Sequence, residues 1–374
     1  DGGQSWEQVL YVSDQAGIID LVMDRGNPYV LYAAAWDRIR NNSESTLAGP
    51  HARIYKTTNG GDSWTELSGG LPTGNLGRIG LAISEQNPQK IYAAYVGPGQ
   101  QLFGIYRSED GGTSWSNPVS SIQLGGLSGN ALGGFGWYFG QIRLDPANDD
   151  HLFLLGVDLW ESWDGGETWE QVGPSWHTYE LHADKHDLDF TASGALLAST
   201  DGGLFRSTNG GATWEDIGNA PVTQFYRIAY NPHQPDHYYG GAQDNGTTGG
   251  FDLETDWPRL FGYDGFQTAF HPDLPNVFYA EYQFGGIVYT DDGGASFQSA
   301  TGGIDFGDRR NFDMPYFISP HDPDVLYTGT YRVYRSEAGI APDWEPVSED
   351  LTDGVVIASN FHTISTLHES PLSP

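Results

Sequence analysis

The 374-residue sequence contains no cysteine, only three lysines and no long apolar run. Without cysteine, disulfides and thiolate metal sites are excluded, and the redox compartment cannot be read from the sequence. Without about 20 consecutive apolar residues, a membrane-spanning helix is not expected. The formal net charge of −32 disfavours nucleic acid as a partner, because contacts to phosphates need basic side chains.

Glycine and aromatic residues are abundant, and many of them belong to one repeated pattern. This pattern, hereafter called the box, reads Ser/Thr-x-Asp/Asn-x-Gly-x-Ser/Thr followed by an aromatic residue, as in Ser108, Asp110, Gly112, Ser114 and Trp115. Boxes and the strands before them occupy residues 1–6 (cut short), 54–64, 105–115, 159–169, 204–214 and 287–297, with a degenerate copy at 333–344. Adjacent glycines favour a tight turn, and the Asp or Asn side chain accepts backbone N–H bonds across it. We therefore interpret the box acids as turn residues rather than catalytic carboxylates.

The closing aromatic residues are spaced regularly, except for a gap of 83 residues between Trp214 and Phe297. This gap holds one repeat without a box, in which Trp257 takes the closing position. Each repeat also has two apolar strands joined by an Asn-Pro or Asp-Pro turn, such as residues 79–83 and 91–95 around Pro88. Four antiparallel strands repeated every 40 to 60 residues are typical of a β-propeller.

We predict an all-β fold, a β-propeller of four-stranded antiparallel blades. Seven blades are favoured, and eight blades or part of a tandem propeller pair are the alternatives. One domain is expected over residues 1–374, with residues 1–12 as a lone outer strand, 13–344 as seven repeats and 345–374 as the start of a further repeat. Because the sequence opens inside a repeat and shows no signal peptide, we expect the natural N-terminus to be missing.

The boxes resemble the Asp-box (BNR) repeats of sialidases, family 74 xyloglucanases, sortilin-type receptors and secreted bacterial repeat proteins. A second similarity, to large secreted bacterial proteins described as sortilin-like glycosyl hydrolases, is carried by residues 182–187, 201–203, 223–226 and 240–247. The resemblance implies a propeller and an extracellular or cell-surface location. It leaves the activity open, because this box occurs in enzymes and receptors alike.

Chain order predicts which loops can bind a ligand. In an up-and-down sheet the Pro turns and the boxes lie at one end, and the long, irregular loops lie at the opposite end, where function usually resides. Exposed aromatic rings in these loops would stack on sugar rings or on an extended peptide. The side chains predicted to bind are Trp36, Arg38, Trp137, Tyr138, Trp176, Tyr179, Gln243, Asp244, Asn245, Arg309 and Arg310.

A metal site is a further hypothesis. Alternation along an extended segment would place His182, Asp184 and His186 on one side, which suits a divalent cation such as Ca²⁺ or Zn²⁺. The same three side chains could instead form hydrogen bonds to neighbouring blades. No cofactor is required by the sequence.

Three functions remain open. The chain could be a secreted or cell-surface module that binds a glycan or a protein, a glycoside hydrolase acting on a polysaccharide, or a structural module of a larger surface protein. A hydrolase needs two facing carboxylates, often between two propellers, so a second propeller in the same chain is a possible partner. Asp187 and Asp313 are the predicted catalytic residues, and Asp20 and Asp264 are also available.

Overall fold

A computed structural model of the chain describes residues 2–41, 44–120, 126–127, 130–173, 180–217, 223–255, 257–352 and 362–372. These residues form seven four-stranded antiparallel sheets and one small hairpin, and six of the large sheets use four consecutive strands, whereas the hairpin interrupts the first sheet. The fold is therefore an all-β propeller of four-stranded blades, which confirms the prediction of seven repeats. The chain divides into two compact units, Asp1–Asn219 and Ala220–Pro374.

The first unit contains four of the sheets. Sheet 1 consists of β1 (Ala16–Met23), β2 (Leu31–Asp37), β5 (Ile54–Thr57) and β6 (Thr65–Glu66), with the hairpin of β3 (Ile39–Arg40) and β4 (Ser45–Thr46) between β2 and β5. Sheet 2 consists of β7 (Ile79–Ile83), β8 (Ile91–Val96), β9 (Leu102–Ser108) and β10 (Ser116–Ser120). Sheet 3 consists of β11 (Gln141–Asp145), β12 (Asn148–Leu155), β13 (Leu159–Ser162) and β14 (Glu170–Gln171). Sheet 4 consists of β15 (Lys185–Phe190), β16 (Leu196–Thr200), β17 (Gly203–Ser207) and β18 (Glu215–Asp216).

The second unit contains the other three. Sheet 5 consists of β19 (Phe225–Asn231), β20 (Gln234–Ala242), β21 (Gly246–Phe251) and β22 (Arg259–Phe261). Sheet 6 consists of β23 (Thr268–Phe270), β24 (Phe278–Tyr282), β25 (Gly286–Thr290) and β26 (Gln298–Ser299). Sheet 7 consists of β27 (Tyr316–Ile318), β28 (Leu326–Gly329), β29 (Val333–Ser336) and β30 (Glu345–Pro346). Trp257 lies between β21 and β22, the closing position assigned to it from the sequence.

Each box is a turn held by its own polar side chains. In sheet 2 the Ser108 hydroxyl donates to Asp110 and accepts the Gly112 N–H, both at 2.9 Å. Asp110 in turn accepts the backbone N–H of Ser114 at 2.8 Å and its hydroxyl at 2.6 Å. These donors lower the pKa of Asp110 to about 2, with the Ser114 hydroxyl contributing most. The box acid is thus committed to the turn, as the sequence predicted.

The boxes and the Pro turns share one end of each sheet. The first glycine of a box donates its N–H to the turn between the first two strands, as Gly111 does to the Gln89 carbonyl at 2.9 Å and Gly293 to Asn276 at 3.0 Å. Neighbouring sheets also meet here, because Tyr32 and Lys56 of sheet 1 both donate to the Gly111 carbonyl, at 3.0 and 2.7 Å. The long loops consequently lie at the opposite end, hereafter called the loop end.

The prediction of an outer strand at residues 1–12 is wrong for residues 2–12, which the structure describes. Residues 6–12 form no strand, and Trp6 is 91% exposed. A strand needs a hydrogen-bonded neighbour, and none of the described strands pairs with this segment.

The C-terminal segment packs against sheet 7. The Ile364 N–H donates to the Thr330 carbonyl at 2.7 Å, and the Ser319 hydroxyl donates to Glu369 at 2.7 Å. Residues 362–372 form no strand of their own. Residues 353–361 of the further repeat predicted at 345–374 lie outside the described residues.

Candidate functional site

Arginines and aromatic rings from different sheets meet at the loop end of the first unit. The Arg38 guanidinium carbon lies 5.6 Å from the centre of the Trp36 ring and 5.4 Å from that of Trp137. Arg40 approaches the same Trp137 ring at 5.8 Å, and the ring of Tyr138 lies 5.1 Å from that of Trp137. Arg38, Arg40, Trp137 and Tyr138 are hereafter called the arginine–aromatic patch. The structure thus brings together four side chains from two of the loops singled out in the sequence.

The arginine side of the patch is held by buried polar contacts. Asp37, the last residue of β2, is 1% exposed and accepts both the backbone N–H and the Nδ1 of His51, each at 2.7 Å. Arg38 donates to the carbonyls of Ile39 and Thr46, and Trp36 donates its indole N–H to Leu47. The loop between β2 and β5 is therefore fixed at both ends.

The aromatic side of the patch is a compact turn before β11. The N–H groups of Tyr138 and Phe139 both donate to the Phe135 carbonyl, at 2.8 and 2.9 Å. Gly136 donates to the Gln100 carbonyl, and a Cβ at this position would come within 2.6 Å of that oxygen, so only glycine fits without a shift. Phe135 and Tyr138 are 52% and 43% exposed, which leaves both rings accessible to a ligand.

His186 of β15 joins the patch from sheet 4. Its ring contacts Tyr138 edge to face at 5.0 Å, and its Nε2 forms an ion pair with Asp201. The hydrogen bond to Asp201 is the main reason that the pKa of His186 is raised above 6.5. Arg78 donates to the Tyr138 carbonyl at 2.8 Å. His186 and Arg78 therefore add two basic side chains to the two arginines that border the aromatic turn.

The metal hypothesis assumed an extended segment from His182 to His186, and this assumption is wrong. Asp184 has a φ of +64°, so the alternation breaks there and β15 begins only at Lys185. His182 is buried against Gly202, whereas His186 is engaged with Asp201. Within the described ranges, the three side chains do not bring one ligand atom each within reach of a common ion. Burial, together with Asp201, raises the pKa of Asp184.

The predicted catalytic residue Asp187 lines a cavity of about 650 Å³ in the first unit. The first strands of sheets 1 to 4 form its wall, which also includes Asp20, Asp189 and Arg143. Asp187 pairs with Arg143 at 2.7 Å, and Asp20 accepts the Leu81 N–H at 2.8 Å. Both carboxylates thus have a partner within the wall.

In the second unit, Gln243, Asp244 and Asn245 form the tight hairpin between β20 and β21. Asp244 has a φ of +58°, and its N–H donates to the buried Asp264 at 2.6 Å. Gln283 donates to the other oxygen of Asp264 at 2.5 Å. Asp264 therefore anchors the hairpin.

Arg309 and Arg310 lie between β26 and β27, also at the loop end of their sheets. Arg309 pairs with Asp350 at 2.8 Å and lies 4.4 Å from the Tyr331 ring centre. Arg310 donates to the Asp305 carbonyl and, with Phe306, lines a small cavity of about 210 Å³. Both arginines thus contribute to the structure of this loop.

The second predicted catalytic residue, Asp313, pairs with Arg227 at 2.7 Å. Next to it, Glu281 of β24 is fully buried and accepts the Met314 N–H at 2.8 Å. Burial raises the pKa of Glu281 well above 4.5, and Asp313 adds to the rise. Sequence reasoning missed Glu281, since β24 reads as an ordinary apolar strand.

Two predicted binding residues, Trp176 and Tyr179, lie outside the described residues. Conversely, Asp37 and Arg78 support the site and were not singled out. The position of Asp37 at the end of a continuous apolar run was the one available signal. Arg78 acts through Tyr138, which is distant in sequence, and Asp201 lies in one of the segments that carry the second similarity but was given no role.

The chain is similar in sequence to two xyloglucanases. It is 32% identical to one from Hypocrea jecorina over 126 residues, which cover 30% of this chain and 14% of that protein. It is 25% identical to one from a Paenibacillus species over 232 residues, or 52% of this chain and 21% of that protein. The chain therefore spans less than a quarter of the length of either relative. No family model matches the sequence.

Solved structures with a similar course of the chain include a GH74 enzyme of Niastella koreensis, with a TM-score of 0.39 and 16% identity, covering 89% of this chain and 54% of that one. YCF48 bound to D1 peptide has a TM-score of 0.38 and 14% identity, covering 85% and 92%. These scores are low, and the fold assignment rests on the seven sheets of the chain itself. In the described part of the chain, no helix has the length and hydropathy to cross a bilayer.

Proposed function

We propose that this propeller is a polysaccharide-binding module and that the arginine–aromatic patch is its binding surface. The observation that carries the proposal is the contact of Arg38 with Trp137, which lies beside Tyr138, because the sequence places Arg38 and these two rings in two separate loops. Sugar rings present C–H groups that pack on aromatic faces, and their hydroxyls accept hydrogen bonds from guanidinium groups. The turn and the loop that carry these groups are fixed by buried hydrogen bonds, so little conformational entropy is lost on binding.

The sequence similarity to xyloglucanases supports a polysaccharide as the ligand, although it covers only part of those proteins. The structural polysaccharides of cell walls and matrices lie outside the cell, and we propose a secreted or cell-surface location on this basis. Detection of the protein in the medium or on intact cells by antibody would test this location.

A second propeller in the same chain stays a prediction, as does the single-domain organisation. One calorimetric unfolding transition would support a single domain, and two would contradict it.

The experiment that tests binding is affinity electrophoresis of the wild-type protein through gels containing a panel of neutral and acidic polysaccharides. We expect at least one polysaccharide to retard the protein and Tyr138→Ala to restore its mobility. No retardation in any gel would contradict the proposal.

Glycoside hydrolysis is the second candidate function, because Asp187 lines the 650 Å³ cavity together with Asp20 and Asp189. Paired carboxylates are the catalytic requirement of this reaction. Release of reducing ends from the same panel, abolished in Asp187→Asn, would support catalysis. Binding of a polysaccharide without release of reducing ends would favour the binding module over the hydrolase.

A further inference from the structure

Among the residues that the structure describes, the arginines of the patch form no ion pair with a carboxylate. Six other basic residues of the first unit form ion pairs with acids: Arg25, Arg53, Lys90, Arg107, Arg143 and Arg206. Arg38 and Arg40, by contrast, have no carboxylate within ion-pair distance among the described residues. In this unit, the residues outside the description include a single acidic one, Asp1. Three further basic residues of the unit also lack an ion pair among the described residues, Lys56, Arg78 and Lys185, and each donates to a backbone carbonyl instead. Arg38 and Arg40 differ from them in that the two guanidinium groups face the same ring, that of Trp137.

The two guanidinium groups also act on each other. Both approach the same Trp137 ring, at 5.4 and 5.8 Å. Burial and, next, the charge of Arg40 lower the pKa of Arg38. Like charges held this close repel each other, and an anion between or beside them would relieve the repulsion. Arg78, bonded to the Tyr138 carbonyl, likewise has no ion-pair partner among the described residues.

We infer, on the basis of the proposed function, that the polysaccharide is anionic and that Arg38 and Arg40 bind the carboxylate of a uronic acid residue. A guanidinium fork matches the two oxygens of a planar carboxylate, and such charge-assisted bonds are about twice as strong as neutral ones. The sugar ring that carries the carboxylate would pack against the exposed rings of Tyr138 and Phe135. The patch thus supplies both a charge contact and an apolar contact to one sugar residue.

The net charge of −32 does not prevent this binding. At about 0.15 M salt the Debye length is about 8 Å, so distant acidic residues are largely screened. The charged groups at or beside the patch are Arg38, Arg40 and Arg78, together with the ion pair of His186 and Asp201. A short oligosaccharide is therefore the suitable probe, because it contacts the patch and few of the acidic regions.

Isothermal titration calorimetry at pH 7 and 0.15 M NaCl tests the inference. The probes are an oligogalacturonide, a neutral cello-oligosaccharide and a sulfated oligosaccharide of equal length. We expect the oligogalacturonide to bind tightest and Arg40→Gln to weaken it about tenfold or more, because at least one charge-assisted hydrogen bond is lost. Arg40→Lys should recover only part of this loss, since lysine keeps the charge without the fork. Arg206→Gln, which removes an exposed arginine paired with Glu215, is the matched control and should bind as wild type.

The outcomes separate the inference from the proposed function. Equal or tighter binding of the cello-oligosaccharide, unaffected by Arg40→Gln, would overturn the inference and leave polysaccharide binding intact. Tightest binding of the sulfated probe would overturn the carboxylate assignment. If none of the probes binds and the polysaccharide panel also fails, the proposed function itself is wrong. Arg40 is the preferred position, because Arg38 also donates to backbone carbonyls of its own loop.

Discussion

Arg38 and Trp137 lie in loops that belong to different sheets, yet the guanidinium carbon of Arg38 is 5.4 Å from the centre of the Trp137 ring. Arg38 follows β2 and Trp137 precedes β11, so both are at the loop end of the first unit. Their contact unites two loops that the sequence singled out only separately. It is the geometric basis for a ligand site away from the boxes.

Replacing Asp201 by asparagine should lower the pKa of His186. The hydrogen bond to Asp201 is the largest cause of the raised pKa, and asparagine removes its charge. Because the folded pKa is raised, the stability that His186 contributes is full below about pH 6.5 and is lost as pH rises through the folded pKa. NMR titration of the His186 ring in wild type and Asp201→Asn gives both values. An unchanged pKa would mean that the two groups do not interact in solution.

Replacing Glu281 by glutamine should make stability less dependent on pH. Burial raises the folded pKa well above 4.5, so between 4.5 and the folded pKa the native state binds more protons than the unfolded state. Stability therefore falls as pH rises through this window. Glutamine cannot ionise and keeps an oxygen for the Met314 N–H.

Urea unfolding at pH 5 and pH 8 measures this effect. The difference in unfolding free energy between the two pH values should shrink in Glu281→Gln. Glu337→Gln serves as the control, because Glu337 is an exposed acid of the same unit paired with Arg335. An identical pH dependence in wild type and Glu281→Gln would show that Glu281 does not titrate as described.

Within one box, Ser108 should matter more for stability than Ser114. Ser108 is buried, and its loss leaves the Gly112 N–H without its acceptor. We expect Ser108→Ala to lower the free energy of unfolding by about 1–3 kcal/mol. Ser114 is exposed, and its backbone bond to Asp110 survives the substitution to alanine, so a change within about 0.5 kcal/mol is expected. Equal losses in the two variants, measured by chemical denaturation, would contradict this view of the turn.

The repeats allowed the fold to be predicted in detail, whereas the site was predicted only in part. Box chemistry and Pro turns are local, so the strands predicted at residues 79–83 and 91–95 agree with the structure to within one residue. Chain order alone predicted that Trp36 and Trp137 lie at the loop end. It could not show that Arg38 contacts both rings, since this contact depends on how far each loop folds back over its sheet.

Other parts of the site depend on contacts between residues distant in sequence. Asp264 was read as an available carboxylate because its burial by Gln283 and the Asp244 N–H is a tertiary effect. The expected alternation from His182 to His186 failed for a local reason, the positive φ of Asp184, which the sequence did not signal. A single polar residue in an apolar strand, such as Glu281, forms no sequence pattern that marks it as part of a site.

The most direct test of the central claim measures polysaccharide binding by Trp137→Ala, Tyr138→Ala and Trp163→Ala in parallel. Trp163 is a fitting control, because it is 56% exposed and stacks on His151 beside a box of the same unit, away from the loop end. Titration calorimetry with the polysaccharide that binds the wild type should show at least a tenfold loss for Trp137→Ala and Tyr138→Ala, from the loss of stacking area. Trp163→Ala should bind as wild type. Unchanged binding by the two patch variants, or an equal loss in Trp163→Ala, would contradict the assignment of the arginine–aromatic patch as the binding site.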